Sequence, residues 1–98
     1  MLPRITQILS VEPYRVDCQW NTGEIKTIDF SDFLNEYQNK PNSVYSKLLS
    51  QDVFKRVRLD KIGRTLCWDN LITMKDYDGI IKPAPLDFCP DVLYSWAK

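Results

Sequence analysis

Lys55-Arg56-Val57-Arg58-Leu59, Asp60-Lys61-Ile62-Gly63 and Arg64-Thr65-Leu66-Cys67-Trp68 follow one another, so two alternating runs meet across a glycine-containing connection of hairpin length. Side chains on a strand alternate between its two faces, which puts Val57 with Leu59 on one strand and Leu66 with Trp68 on its partner. Paired, these faces make an apolar platform. A lone two-stranded hairpin is barely stable in water, so other strands must extend the platform and helices must cover it. The expectation is an α+β fold, a mainly antiparallel sheet with short helices packed on one face.

The chain before this hairpin supplies the other strands. Residues 5–11 read as a first strand, with Ile5, Gln7 and Leu9 on one face and Thr6, Ile8 and Ser10 on the other, ended by Glu12-Pro13. Residues 14–20 alternate most cleanly: Tyr14, Val16, Cys18 and Trp20 face one way, Arg15, Asp17 and Gln19 the other. Val16, Cys18 and Trp20 are expected in one sheet with Val57, Leu59, Leu66 and Trp68. Asn21-Thr22-Gly23 is a turn, and residues 24–30 return as a strand in which Ile25 and Ile28 have opposite parity, which a bulge would reconcile. Ser31 can cap a helix carrying Asp32 in its first turn and Phe33, Leu34 and Tyr37 as its apolar residues. Ser43 is a second cap candidate before Val44, Tyr45, Leu48 and Leu49, and Gln51-Asp52-Val53-Phe54 adds a further turn.

After Trp68, Leu71-Ile72-Thr73-Met74 and Ile80-Ile81-Lys82 flank Asp76-Tyr77-Asp78-Gly79, again strand, turn and strand. Leu71, Ile72, Met74, Tyr77, Ile80 and Ile81 give residues 71–82 more apolar surface than a free loop requires. They are therefore a candidate association arm, the alternative being that they fold back on the sheet. Pro83-Ala84-Pro85 reads as a stiff extended spacer. Pro90 then suits the first position of a terminal helix with Cys89 as N-cap and Phe88 and Leu93 in its staple positions. Asp29-Phe30-Ser31-Asp32 and Asp87-Phe88-Cys89-Pro90-Asp91 echo each other, each following strand material and opening a helix.

Composition bounds what such a fold can do. Ninety-eight residues make one domain, 1–98, and 13 basic residues balance 13 acidic ones, so no global field draws in nucleic acid or an anionic membrane. No apolar run approaches the roughly 18 residues of a membrane span, and the opening residues lack a signal-peptide core; the chain reads as cytoplasmic. Three cysteines without Cys-x-x-Cys spacing, and no histidine, argue against a zinc site and for reduced structural thiols. The missing histidine also excludes Ser-His-Asp and Cys-His mechanisms. The expectation is a non-enzymatic chain with no cofactor and no metal, and no small-molecule substrate is identified.

The order of these parts resembles the bacterial domain-of-unknown-function family 2442. The residues that carry the resemblance are the glycine-turned hairpin from Trp20 to Phe30, the short helix after it, Leu48 to Phe54, the strand through Leu59, the turn at Gly63, Leu66 with Trp68, and Asp87-Phe88-Cys89-Pro90-Asp91-Val92-Leu93-Tyr94. The resemblance implies a compact α+β domain with a mainly antiparallel sheet, sometimes joined to a helix-turn-helix segment and often encoded beside another small protein. Here Asp69-Asn70-Leu71 stands where a proline- and glycine-containing turn usually follows the tryptophan, residues 71–86 look inserted, and Cys89 replaces a serine cap. The 98 residues carry no appended helix-turn-helix segment.

Arg56, Arg58, Lys61 and Arg64, with Lys55, form the basic cluster, a candidate contact for a partner or an anion. Arg56 and Arg58 should share the strand face opposite Val57 and Leu59. The competing account is a solvated sheet face. Asp76-x-Asp78-Gly79 resembles a fragment of a calcium loop without its later ligands, so turn-forming aspartates are the simpler account. The leading functional expectation is a protein-interaction module that binds another protein or itself. The alternative is a nucleic-acid-associated regulator, or an antitoxin-like partner of a co-encoded small protein, with no tight duplex binding by the isolated chain.

Overall fold

The structure, a computed structural model, describes residues 2–75 and 77–98. In order come β1 (Ile5–Glu12), β2 (Arg15–Trp20), β3 (Ile25–Asp29), α1 (Ser31–Asn35), a 3-10 helix (Val44–Leu49), α2 (Gln51–Phe54), β4 (Arg58–Asp60), β5 (Thr65–Lys75), β6 (Ile81–Asp87) and α3 (Pro90–Trp96). The α+β class is as expected, but the strands form two three-stranded antiparallel sheets, β1-β2-β3 and β4-β5-β6, where one was expected. Val16, Cys18 and Trp20 therefore lie in the first sheet and Leu66 and Trp68 in the second, all five buried in a shared core. Val57 precedes β4, and both it and Leu59 are only half-buried against that core. The sheets meet where the Ile5 amide donates to the Arg64 carbonyl at 2.9 Å.

The faces of β1 differ from simple alternation. Ile5 lies opposite Trp20, Ile8 opposite Cys18 and Val11 opposite Val16, with register shifts between Ile5 and Gln7 and between Ile8 and Ser10. Each shift inserts one extra residue and turns a period of two into three, so Ile5, Ile8 and Val11 face the core and Leu9 faces out. The β2–β3 pairing, by contrast, is regular from Arg15↔Asp29 to Gln19↔Ile25. The bulge expected in β3 is absent; Ile28 is buried and Ile25 is simply exposed.

Local chemistry explains the junctions. Gly23, with φ of 89°, donates to the Trp20 carbonyl at 2.9 Å and closes the β2–β3 turn. In the 61–64 connection the positive φ falls on Arg64 (54°) and not on Gly63. Ser31 lies inside α1, whose N-cap position is Phe30; Asp29 Oδ1 accepts from the Ser31 amide at 2.9 Å. Ser43 caps as expected, its Oγ accepting from the Tyr45 amide at 3.3 Å. Cys89 holds the N-cap position of α3 without a side-chain bond and is exposed, so it is not a core thiol. Cys18 and Cys67 are free and buried, and burial pushes the Cys18 thiol up to about 12.

The two echoing segments converge in the core. The Phe30 and Phe88 rings meet edge to face with centroids 5.5 Å apart, and both also touch Trp68 and Trp96. Edge-to-face pairs add roughly 0.5–1.5 kcal/mol each beyond area burial, so this cluster joins the two sheets, α1 and α3 more strongly than any surface ion pair. The chain's end is tied in as well: Thr27 and Lys98 exchange backbone hydrogen bonds at 3.0 Å. No described helix is long and apolar enough to cross a membrane.

A candidate interaction arm

Residues 71–82 are a hairpin, but not a separate one. β5 runs without interruption from the core into the arm, and Pro83-Ala84-Pro85 is part of β6 and not a spacer. The ladder pairs Cys67 with Asp87 and Trp68 with Leu86, then resumes at Ile72↔Ala84, Thr73↔Pro83, Met74↔Lys82 and Lys75↔Ile81. The irregularity falls at residues 69–71 of β5, where Asn70 takes φ of 58°. Leu71 and Ile72 still pack against the core, and from Thr73 to Pro83 every residue whose burial is described is exposed.

Two cations hold the arm's base. Arg58 grips Asp69 with two bonds, Nε to Oδ2 at 2.6 Å and a terminal nitrogen to Oδ1 at 2.8 Å. This bidentate pairing holds the Asp69 carboxyl below its ordinary range and raises the guanidinium further. Lys47 Nζ, from the 3-10 helix, donates to the Leu71 carbonyl at 3.1 Å. Beside their partners Asp69 and Leu71 lies a hollow of about 300 Å³ lined by these two with Val53, Arg56, Trp68 and Asn70.

The six arm residues divide. Leu71 and Ile72 are half-buried and pack against the core, as the fold-back alternative requires. Tyr77, Ile80 and Ile81 are exposed, as an association arm requires. The side chain of Met74 lies outside the described part, as does Asp76 of the calcium-loop fragment. Asp78 Oδ1 accepts from the Ile80 amide at 3.0 Å, and Gly79 takes φ of 80°, so that fragment serves the turn. No group of three metal-ligating side chains occurs among the described residues.

The basic cluster does not form one surface. Arg56 follows α2 in a turn, outside any strand, and so does not share a strand face with Arg58, whose charge is taken by Asp69. Lys61 and Arg64, both exposed, line a different hollow beside Ile5, Thr6 and Leu59. Sequence reasoning missed Lys47, which reaches the arm only through the tertiary fold, and the parts played by Asp69 and Asn70 at its base. It had one signal for the arm's edges: prolines two residues apart place both missing N–H groups on one side of a strand.

No family model matches this chain, and no curated protein matches it. Among solved structures it is similar to a proposed DNA-binding protein of Nitrosomonas europaea, with a TM-score of 0.59 and 24% identity over 98% of this chain and 49% of that one. The likeness is one of fold. This chain spans about half the length of that protein.

Proposed function

We propose that this chain is a non-enzymatic protein-interaction module whose docking element is the β5–β6 arm. The observation that carries the reading is the exposure of Tyr77, Ile80 and Ile81 within five residues at the end of a strand pair anchored in the core. Scattered exposed apolar side chains are ordinary, but a cluster on a projecting element favours a partner. Arg58 and Lys47 hold the base in place, which lowers the ordering cost of docking. Replacing Tyr77, Ile80 and Ile81 together by serine leaves the thermal midpoint unchanged and removes the stoichiometric associate, whether another protein or a second copy, that co-purifies with the chain from its native host. Identical associates for both chains would sink the reading.

A nucleic-acid-associated role, or that of an antitoxin-like partner to a co-encoded small protein, is the second reading. It is favoured by the fold shared with the Nitrosomonas europaea protein and by the exposure of Arg56, Lys61 and Arg64.

A further inference from the structure

The two edges of the arm are chemically unlike. β6 carries Pro83 and Pro85. Proline has no N–H, and within sheets it sits where that group would point away from the neighbouring strand, so the outer edge of β6 lacks two successive donors and resists a further strand. The edge of β5 is different. β4 pairs only with residues 65–67 of β5, which leaves the arm portion of β5 without a strand on that side among the described residues. Thr73 is the ladder partner of Pro83, so its N–H and C=O are turned away from β6, toward this open side. Thr73 and Lys75 are exposed there, and no proline or bulge protects the segment from Ile72 to Lys75.

We infer that this edge pairs antiparallel with the same edge of a second copy of the chain, about a twofold axis at Thr73. The inference rests on the arm being the docking element and names its occupant. The segment is self-complementary in that register. Thr73 meets Thr73 of the second copy in a hydrogen-bonded pair, a favourable cross-strand combination. Lys75 falls opposite Leu71, so the segment's charged residue does not meet its own copy. The Leu71 oxygen, which accepts from Lys47, keeps a second lone pair for the incoming Lys75 amide. The same register carries each tip alongside the other copy's 69–71 bulge. There the fully exposed Tyr77 ring meets the hollow of about 300 Å³ lined by Val53, Arg56 and Trp68, with the Arg56 guanidinium available to its face. A partner of another sequence would need to match both the edge and the hollow; this chain carries both halves of the contact.

Light scattering on the intact chain should give a mass that rises with concentration toward twice 11.5 kDa. Amide exchange should slow at Thr73 and Lys75 as the dimer forms. Thr73→Pro removes a donor that the β5–β6 ladder does not use, so it should return the mass to a single chain and keep the thermal midpoint that the unaltered chain has when dilute enough to be monomeric. Tyr77→Ala should weaken dimerisation by on the order of tenfold or more. A single-chain mass at every concentration overturns the inference, as does a dimer in which the Thr73 amide exchanges freely or Thr73→Pro has no effect. A monomeric chain whose associate is still lost with the serine-substituted tip leaves the arm as the docking element and removes only the second copy as its occupant.

Discussion

The indole Nε1 of Trp68 donates to the Phe54 carbonyl at 3.0 Å, deep in the core. This bond fixes the end of α2 to the middle of β5, and the same ring packs on Phe30, Phe54 and Phe88. Truncation to alanine removes the burial, the ring contacts and the donor together. Trp68→Ala should cost roughly 3–5 kcal/mol, a large part of the 5–15 kcal/mol typical of a small domain. Trp68→Phe, which keeps most of the ring volume and loses the donor, should cost less. A denaturation midpoint for Trp68→Ala close to that of the unaltered chain would contradict this assignment.

The threefold spacing of β1 makes a prediction opposite to the one alternation makes. Ile8 packs against the core opposite Cys18, whereas Leu9 is 44% exposed. Ile8→Ala should therefore lower stability by about 1–3 kcal/mol, while Leu9→Ser should stay within about 0.5 kcal/mol. Urea titration of the two variants checks it, and a larger loss for Leu9→Ser would restore the simple two-faced strand.

These positions mark what the sequence could and could not say. The alternation at Val16, Cys18 and Trp20 was legible because β2 is the central strand of its sheet and pairs regularly with β3. β1 was misread because a bulge costs one backbone residue and leaves no mark in composition, so Ile5-x-x-Ile8-x-x-Val11 looked like alternation with the wrong members. The division into two sheets was illegible for a related reason: strands with apolar faces can meet edge to edge or across a core, and periodicity is the same for both. At the arm, the apolar excess set residues 71–82 apart from a free loop but left open which of them fold back, as Leu71 and Ile72 do, and which stay exposed, as Tyr77, Ile80 and Ile81 do. The Arg58–Asp69 grip was not legible, because nothing local pairs residues 11 apart across a hairpin that then bulges.

Acid should loosen the arm's base. The folded pKa of Asp69 lies below its unfolded value, so the pair contributes fully above the ordinary carboxylate range, near pH 4, and its contribution is lost as pH falls through the depressed folded value. Amide exchange at residues 69–72 should accelerate on acidification relative to the core strands. In Asp69→Asn it should already be fast at neutral pH and show less change with acid. Equal pH responses in the two chains would mean that Arg58 and Asp69 do not hold the base.

The isolated chain should not bind mixed-sequence duplex DNA tightly. Thirteen basic residues are balanced by 13 acidic ones, and the one local basic run is broken up by the fold. Arg58 is committed to Asp69, while Arg56 and the pair Lys61 and Arg64 line separate hollows. Duplex affinity at physiological salt comes largely from counterions released at each phosphate contact, and two or three dispersed cations release too few. Fluorescence anisotropy with a labelled mixed-sequence duplex should therefore give no submicromolar binding, and weak binding at low salt should disappear with a shallow salt dependence. Arg56→Glu with Lys61→Glu should remove that weak low-salt signal. Submicromolar binding that this double variant abolishes would make these cations the working surface, and would put the nucleic-acid reading ahead of the arm.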